Sequence, residues 1–284
     1  MINSAHMQKR FILLTILVLI LSESTAQFKV MTYNIRYDNA GDSINQWSNR
    51  KEKMRTLLKK YDADIIGFQE ALSNQVDDLQ SMLLNYSYVG IGRDDGKTKG
   101  EYAPVFFRND KYELLSNNTF WLSPTPFVAG SIGWDAAITR ICTWVKLKDK
   151  TTGKMFFVFN THFDHIGDTA RLMSAQLIIR KINELAEGLP VIVTGDFNSE
   201  PSDKGYKTII KSKKPKLSDT FSKDISPAAS CTFKGFSVNS NICKRIDYIF
   251  FSKPFLKTDF KIIDDNDGKY YVSDHLAVIA TLKL

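Results

Sequence analysis

The chain predicts an α/β layered single domain, and three observations carry that reading. Strand-like apolar runs interleave with helix-like segments. No linker, repeat or low-complexity stretch divides them. A length of 284 residues, 43% hydrophobic and 24% charged, fits one large core better than two, with a domain of about 250 residues.

In chain order, the strand-like runs are FKVMTYNI (28–35), DIIGFQ (64–69), APVFFR (103–108), ICTWVKL (141–147), MFFVFNTH (155–162), LPVIVTGDF (189–197), RIDYIFFS (245–252) and HLAVIATLKL (275–284). Several are apolar throughout and others alternate, so some strands are covered on both faces and some on one. Helices are predicted over 50–61, 74–82 and 168–185. The last is the clearest, with Leu172, Gln176, Ile179 and Ile182 on one face and Asp168 or Thr169 available as N-cap. The segment WLSPTPFVAGSIGWDAAIT (121–139) has two prolines, two glycines and two tryptophans without a period. It reads equally as a functional loop or as an edge cover.

Residues 1–26 read as an export signal. Lys9 and Arg10 precede FILLTILVLIL (11–21), and Ser24-Thr25-Ala26 supplies a small-residue cleavage site. The apolar run is short for a membrane span. The expectation is therefore cleavage after Ala26, a periplasmic or extracellular location, and a domain over 27–284 with no stable membrane insertion; an uncleaved N-terminal anchor is the alternative. The net charge of +7 becomes +6 without Lys9, Arg10 and Glu23. A basic surface favours polyanions or phosphorylated substrates, nucleic acid among them, although the cluster KSKKPK (211–216) reads as a solvated loop. Cys142, Cys231 and Cys243 form neither a zinc spacing nor an even disulfide framework. Cys231 and Cys243 could pair across a loop, but free buried thiols are the favoured expectation. A monomer is expected.

Four strand runs end in polar residues that a strand has no use for: Asn34, Gln69 with Glu70, His162, and Asp196 with Asn198. Side chains at the same end of neighbouring strands converge on one crevice. Each has a plain structural reading alone, as a turn residue or a helix-terminal acid. Joined by Asp247 inside a strand and by Asp274-His275, they are poorly explained as turns and caps, because buried charges need partners. Carboxylates, amides and two histidines without a thiolate suit a hard cation such as Mg²⁺ or Mn²⁺.

NTHFDH (160–165) is one residue short of H-x-H-x-D-H, the pattern of metallo-β-lactamase-like zinc hydrolases, with Asn160 in place of the first histidine. A dinuclear zinc site demands more imidazole than His162, His165 and His275 provide. A mononuclear zinc site using His162 and Asp164 is the weaker alternative.

The blocks TYNIR (32–36), GFQEA (67–71), EYAPVFFR (101–108), NTHFDH (160–165), GDFNSEP (195–201), RIDYIF (245–250) and SDH (273–275) run in order along the chain. Together they resemble the endonuclease/exonuclease/phosphatase superfamily of Mg²⁺-dependent phosphoesterases, which includes deoxyribonucleases, sphingomyelinases, inositol polyphosphate 5-phosphatases and deadenylases. The resemblance implies a four-layered α/β sandwich, two mixed β-sheets packed face to face with flanking helices. It implies Glu70 as the main Mg²⁺ ligand, with Asn34 and Asp274 beside it or one water away. Asn198 would hold a phosphate oxygen, and Asp196 would orient or deprotonate the attacking water. His275 would face the phosphate with Asp247 behind it. His162 would be a second histidine supported by Glu101, with Arg140 near the scissile phosphate.

In-line attack of water on phosphorus needs charge neutralisation, a base and leaving-group stabilisation. Asp196 or the Asp247–His275 pair could be the base, and the residues leave that choice open. Asp164 is expected to cap a turn or brace a loop at the site rim, and His165 to be structural or a substrate contact. The expected activity is exported, Mg²⁺-dependent hydrolysis of a phosphate ester, a diester being favoured. Nucleic acid and small sugar or lipid phosphates both fit as substrates, with Trp121 and Trp134 either walls for a ring or core. The competing class, a catalytically silent binding protein of the same fold, is opposed by intact Glu70, Asp196, Asn198, Asp247 and His275.

Overall fold

A computed structural model describes residues 27–221 and 226–284. The segment read as an export signal, 1–26, lies outside the described residues. Twelve strands within them form two six-stranded sheets. In spatial order the first sheet holds β11 (Leu256–Ile263), β12 (Ala277–Lys283), β1 (Gln27–Asn34), β2 (Ile65–Gln69), β4 (Val105–Arg108) and β3 (Tyr86–Val89). The second holds β5 (Tyr112–Trp121), β6 (Ile141–Asp149), β7 (Met155–His162), β8 (Val191–Asp196), β10 (Asp247–Ser252) and β9 (Leu217–Asp219). Both are mixed: β1 runs parallel to β2 and β7 to β8, while their other neighbours are antiparallel.

The alternation of side chains along each strand sets the layers. Phe28, Val30, Ile65, Val158, Ile192 and Ile249 belong to a cluster between the sheets. The intervening Met31, Tyr33, Ile66 and Phe68 pack instead with Trp47, Met54, Leu57 and Val76 of α1 (Trp47–Tyr61) and α2 (Ser73–Met82). Phe157, Phe159, Val193 and Phe250 pack with Ala175, Ile178, Ile182 and Ile209 of α3 (Asp168–Ala186) and α4 (Lys204–Lys211). Each fully buried Phe, Leu or Ile contributes roughly 1.5–3 kcal/mol. Strands apolar on both faces therefore require a helix layer outside each sheet, which gives the expected four-layered sandwich.

All eight predicted runs are strands. The four missed ones, β3, β5, β9 and β11, are the four sheet edges. An edge strand such as β5 exposes six of its ten residues in succession, so it carries little apolar signal. The core face of α3 is Ala170, Ser174, Ala175, Ile178 and Ile182, rotated from the predicted one because small residues let the helix lie close to the sheet. Its N-terminal amides are not served by Asp168 or Thr169. Asp135, from the 121–139 segment, accepts from Thr169 N and Ala170 N at 3.1 and 2.5 Å.

The favoured expectation of free thiols is corrected for two of the three cysteines. Cys231 and Cys243 form a disulfide with their Cα atoms 5.0 Å apart, and Cys142 alone is free and buried. Antiparallel pairing of Phe233 with Lys244 brings the two together. Among the described residues no helix is long and apolar enough to cross a membrane.

Candidate active site

The layer between the sheets changes character along the strands. Val30 pairs in register with Ile65, and two residues on Thr32 pairs with Gly67 and Asn34 with Gln69. In the second sheet Val158 faces Ile192, then Asn160 faces Thr194, then His162 faces Asp196, which in turn pairs with Asp247. Because the side-chain period is two, these residues all point toward the opposite sheet. The inter-sheet layer is thus hydrocarbon at one end and polar at the other.

Asn160 is the keystone of the polar transition. Its Nδ2 donates to Phe68 O (2.7 Å) and Pro104 O (3.0 Å), and its Oδ1 accepts from Gln69 Nε2 (2.7 Å) and Thr194 Oγ1 (3.0 Å). The bridge crosses over Gly67, where a Cβ would meet Asn160 Oδ1 and Thr194 Oγ1 at 2.4 Å. The residue that stands where a zinc-binding histidine would be thus ties the two sheets together, with every polar atom committed.

Beyond that bridge, the strand ends build the first half of the site. Glu70 follows β2 with φ 63° and Asn198 follows β8 with φ 43°. Such left-handed backbone costs a non-glycine residue about 1–2 kcal/mol, strain of the kind that clusters at functional sites. Asn34 Nδ2 donates to Glu70 Oε1 (2.9 Å) and Asp196 Oδ2 (3.0 Å), and Tyr37 N donates to Glu70 Oε2 (3.2 Å). His275, which precedes β12, holds Asp247 Oδ2 through Nδ1 at 2.9 Å and places Nε2 3.7 Å from Asp196 Oδ2.

These groups set one another's charge. Burial pushes Asp196 up to about 7, reinforced by the neighbouring Asp247. Burial alone would disfavour the His275 cation, but Asp247 and Asp196 more than offset it and lift the imidazole to about 10. Asp274 is also raised, chiefly by burial.

The second half lies across Asp196. His162 Nε2 is 3.5 Å from Asp196 Oδ2 and 3.2 Å from Asn198 Nδ2, and Asn198 Nδ2 also donates to Phe163 O at 3.0 Å. Glu101 stands beside His162 Nδ1 at 3.7 Å, beyond hydrogen-bonding distance, and is held by Arg93 in a two-pronged pair at 2.6 and 2.8 Å. Glu101 is therefore near the predicted position but supports Arg93, and His162 Nδ1 is buried without a hydrogen-bond partner. Burial, then Arg140 and Arg93, drive His162 well below its ordinary value.

Arg140 is buried beside Asp164, Nε to Oδ2 3.5 Å, and its Nη2 lies 3.0 Å from His165 Nδ1. Asp164 Oδ1 accepts from Ile166 N and Gly167 N at 3.0 and 2.8 Å, so it braces the loop as expected.

All ten predicted site residues meet at one end of the sandwich. A cleft of about 790 Å³ opens there, lined by Glu70, Asp196, Asn198, His162, Asp274 and His275 among others. Trp121 and Trp134 are not its walls. Trp121 is buried and donates to Arg93 O at 2.6 Å, and Trp134 packs on the outer helix layer. Sequence reasoning missed Arg36, Arg93, Arg171, Phe233 and Lys244, which also line the cleft. Apart from Arg171, in the predicted third helix, they lie in irregular segments, where neither period nor strand end marks them.

Residues 31–275 match the Endonuclease/Exonuclease/phosphatase family. The chain belongs to this family. A family member from Bacteroides vulgatus of known structure is 43% identical, with a TM-score of 0.82, over 91% of this chain and 99% of that one. A mannosyl-6-phosphatase of Bacteroides thetaiotaomicron is 39% identical, with a TM-score of 0.84, over 90% of this chain and 99% of that one. A probable RNA exonuclease of Saccharomyces cerevisiae is 28% identical over 67% of this chain, which spans 41% of the exonuclease's length. As a family member the chain is a phosphoester hydrolase of a divalent-metal-dependent class.

The residues fit such a metal. Donor atoms of Glu70, Asp196 and His275 lie within 4.8 Å of one another. Each Glu70 oxygen accepts a single hydrogen bond, which leaves lone pairs free on both. With His275 bonded through Nδ1 to Asp247, Glu70 is the oxygen donor placed to hold the ion, and Asp196 lies beside it. Asn34 turns its amide nitrogen, not its oxygen, toward Glu70 and Asp196.

Proposed function

We propose that the protein is an exported, Mg²⁺-dependent hydrolase of small phosphate esters, with sugar phosphates as the substrate class. The observation that carries this reading is the convergence of Glu70, Asp196 and His275 within 4.8 Å, with His162 and Asn198 alongside. That set supplies the base and the charge neutralisation that in-line attack needs.

Asp196 is the general base. A carboxyl raised to about 7 is matched to proton abstraction from water near neutral pH. His275, carrying its proton up to about 10, has no lone pair to take another. It stabilises negative charge on the phosphoryl oxygens, and Asp247 fixes its orientation. Neutral His162 and the Asn198 amide, hydrogen-bonded to each other in the free site, would exchange that bond for hydrogen bonds donated to the same oxygens. Glu70 would hold Mg²⁺ with Asp274 near it, and the ion would supply Lewis-acid charge neutralisation. The alternative zinc ligands are engaged elsewhere, Asp164 with loop amides and beside Arg140.

In-line attack uses the same groups on mono- and diesters, so the diester favoured from sequence yields to the monoester suggested by the mannosyl-6-phosphatase relative. The four arginines of the cleft already have carboxylate partners, Arg36 with Asp42, Arg93 with Glu101, Arg140 with Asp164 and Arg171 with Asp168. Mixed charge of this kind suits a small ester better than a phosphate backbone, which calls for a basic track. Export rests on the charged, apolar and small-residue order of residues 1–26. The Cys231–Cys243 disulfide suits an oxidising compartment.

Purified protein with Mg²⁺ should release phosphate from hexose phosphates and aryl phosphates. Activity should vanish with EDTA, return with Mg²⁺ or Mn²⁺ without zinc, and be lost in Glu70→Gln. Metal-dependent nicking of plasmid DNA without turnover of sugar phosphates would overturn the substrate assignment.

A further inference from the structure

The Cys231–Cys243 hairpin takes no part in the chemistry above, yet its Phe233 and the adjoining Lys244 line the cleft. The disulfide closes it, Thr232 N and Phe233 N both donate to Lys244 O (2.8 and 2.9 Å), and Lys244 N donates back to Phe233 O (3.1 Å). The same few residues are stitched to the reacting centre. Thr232 Oγ1 accepts from Ile246 N and Asp247 N, both at 3.0 Å, and Thr232 O accepts from Leu276 N at 2.6 Å. The Phe233 ring lies against the His275 imidazole, with centroids 4.8 Å apart. The backbone of Lys244 is thus anchored to the segments that carry Asp247 and His275.

Its side chain differs from the other lysine and arginine side chains of the cleft. Arg36, Arg93, Arg140 and Arg171 each face a carboxylate. Lys244 is exposed and has no carboxylate within 4.0 Å among the described residues. An uncompensated ammonium at the rim of a phosphate-ester cleft has an evident use. A phosphomonoester carries roughly −1.5 to −2 charges at neutral pH, with its second ionisation near pH 6, whereas a diester carries one.

We propose that Lys244, anchored by the disulfide-closed hairpin, is a specificity-determining residue that takes the second negative charge of a phosphomonoester and so favours monoesters over diesters. The proposal rests on the phosphoester reading of the same cleft and adds the residue that sets its preference for monoesters.

The test compares the wild-type chain with Lys244→Gln and Lys244→Arg by two readouts. The first is calorimetric binding of inorganic phosphate to the Mg²⁺-loaded protein. The second is kcat/KM for an aryl phosphate and for a bis-aryl phosphodiester. Loss of one charge-assisted contact should weaken phosphate binding about tenfold near pH 8. Near pH 5.5 the effect should shrink to about twofold, because the ligand has lost its second charge. Lys244→Gln should raise KM for the monoester about tenfold and leave the diester within about twofold, and Lys244→Arg should restore most of the loss. Equal losses on both esters, or phosphate binding indifferent to residue 244, would overturn the proposal. Wild-type protein that binds phosphate through Lys244 but hydrolyses neither ester would instead sink the hydrolase reading and leave the Lys244 contact standing.

Discussion

His275 comes from the loop entering β12 of one sheet and His162 from the end of β7 in the other. They meet across a single oxygen, Asp196 Oδ2, at 3.7 and 3.5 Å. Both rings are buried, yet their charges are driven apart. Asp247 bonds His275 at 2.9 Å and raises it to about 10. Glu101 stands 3.7 Å from His162 and is committed to Arg93, so burial and two nearby guanidiniums hold His162 neutral. The contrast teaches that an acid near a histidine decides little until it stands within hydrogen-bonding distance of the ring. Two histidines with acids nearby can serve one phosphate in different protonation states.

The largest way to break this comparison is to remove each ring. His275→Ala should lower kcat by about 10³–10⁴-fold, because charge stabilisation at the phosphoryl oxygens is lost. His162→Ala should cost nearer 10²-fold, as loss of one neutral hydrogen-bond donor. Equal losses would erase the distinction. The supporting acids sharpen it: Asp247→Asn should cost about 10–100-fold, whereas Glu101→Gln should cost less than about tenfold, since no hydrogen bond joins it to His162. Steady-state kinetics on one substrate measures all four.

The pH profile follows with a smaller effect. The Asp196 carboxylate appears as pH rises through about 7, and the His275 imidazolium is lost as pH rises through about 10. Activity should therefore climb about tenfold per unit below the first value, plateau, and fall above the second. His275→Gln should abolish the alkaline fall. The smallest effect on the chemistry comes from Asn160→Ala, which removes the inter-sheet bonds to Phe68 O, Pro104 O and Gln69 and the bond to Thr194. Thermal or urea unfolding should show a loss of about 2–4 kcal/mol.

Much of this was legible in the sequence, for a physical reason. Interior strands such as β1, β7 and β8 are apolar on both faces, so the runs show, and the polar residues that close them stand out by contrast. Asn34, His162 and Asp196 could be gathered into one site because register and alternation bring strand ends together. Edge strands offered no such contrast, and β11 alternates mainly between exposed and half-buried positions. Glu101's commitment to Arg93 and the Cys231–Cys243 closure depend on distances between segments that no local pattern encodes. Lys244 looked like any surface lysine, since only the folded cleft shows that its arginine neighbours are paired.

The most direct measurement is the imidazole ¹⁵N titration of His162 and His275 in the EDTA-treated full chain, assigned with His162→Ala and His275→Gln. At about pH 8 His275 should be doubly protonated and His162 neutral, and His162 should stay neutral below its ordinary value of 6.5. A neutral His275 at that pH, or a His162 that gains its proton at or above 6.5, would contradict the division of roles.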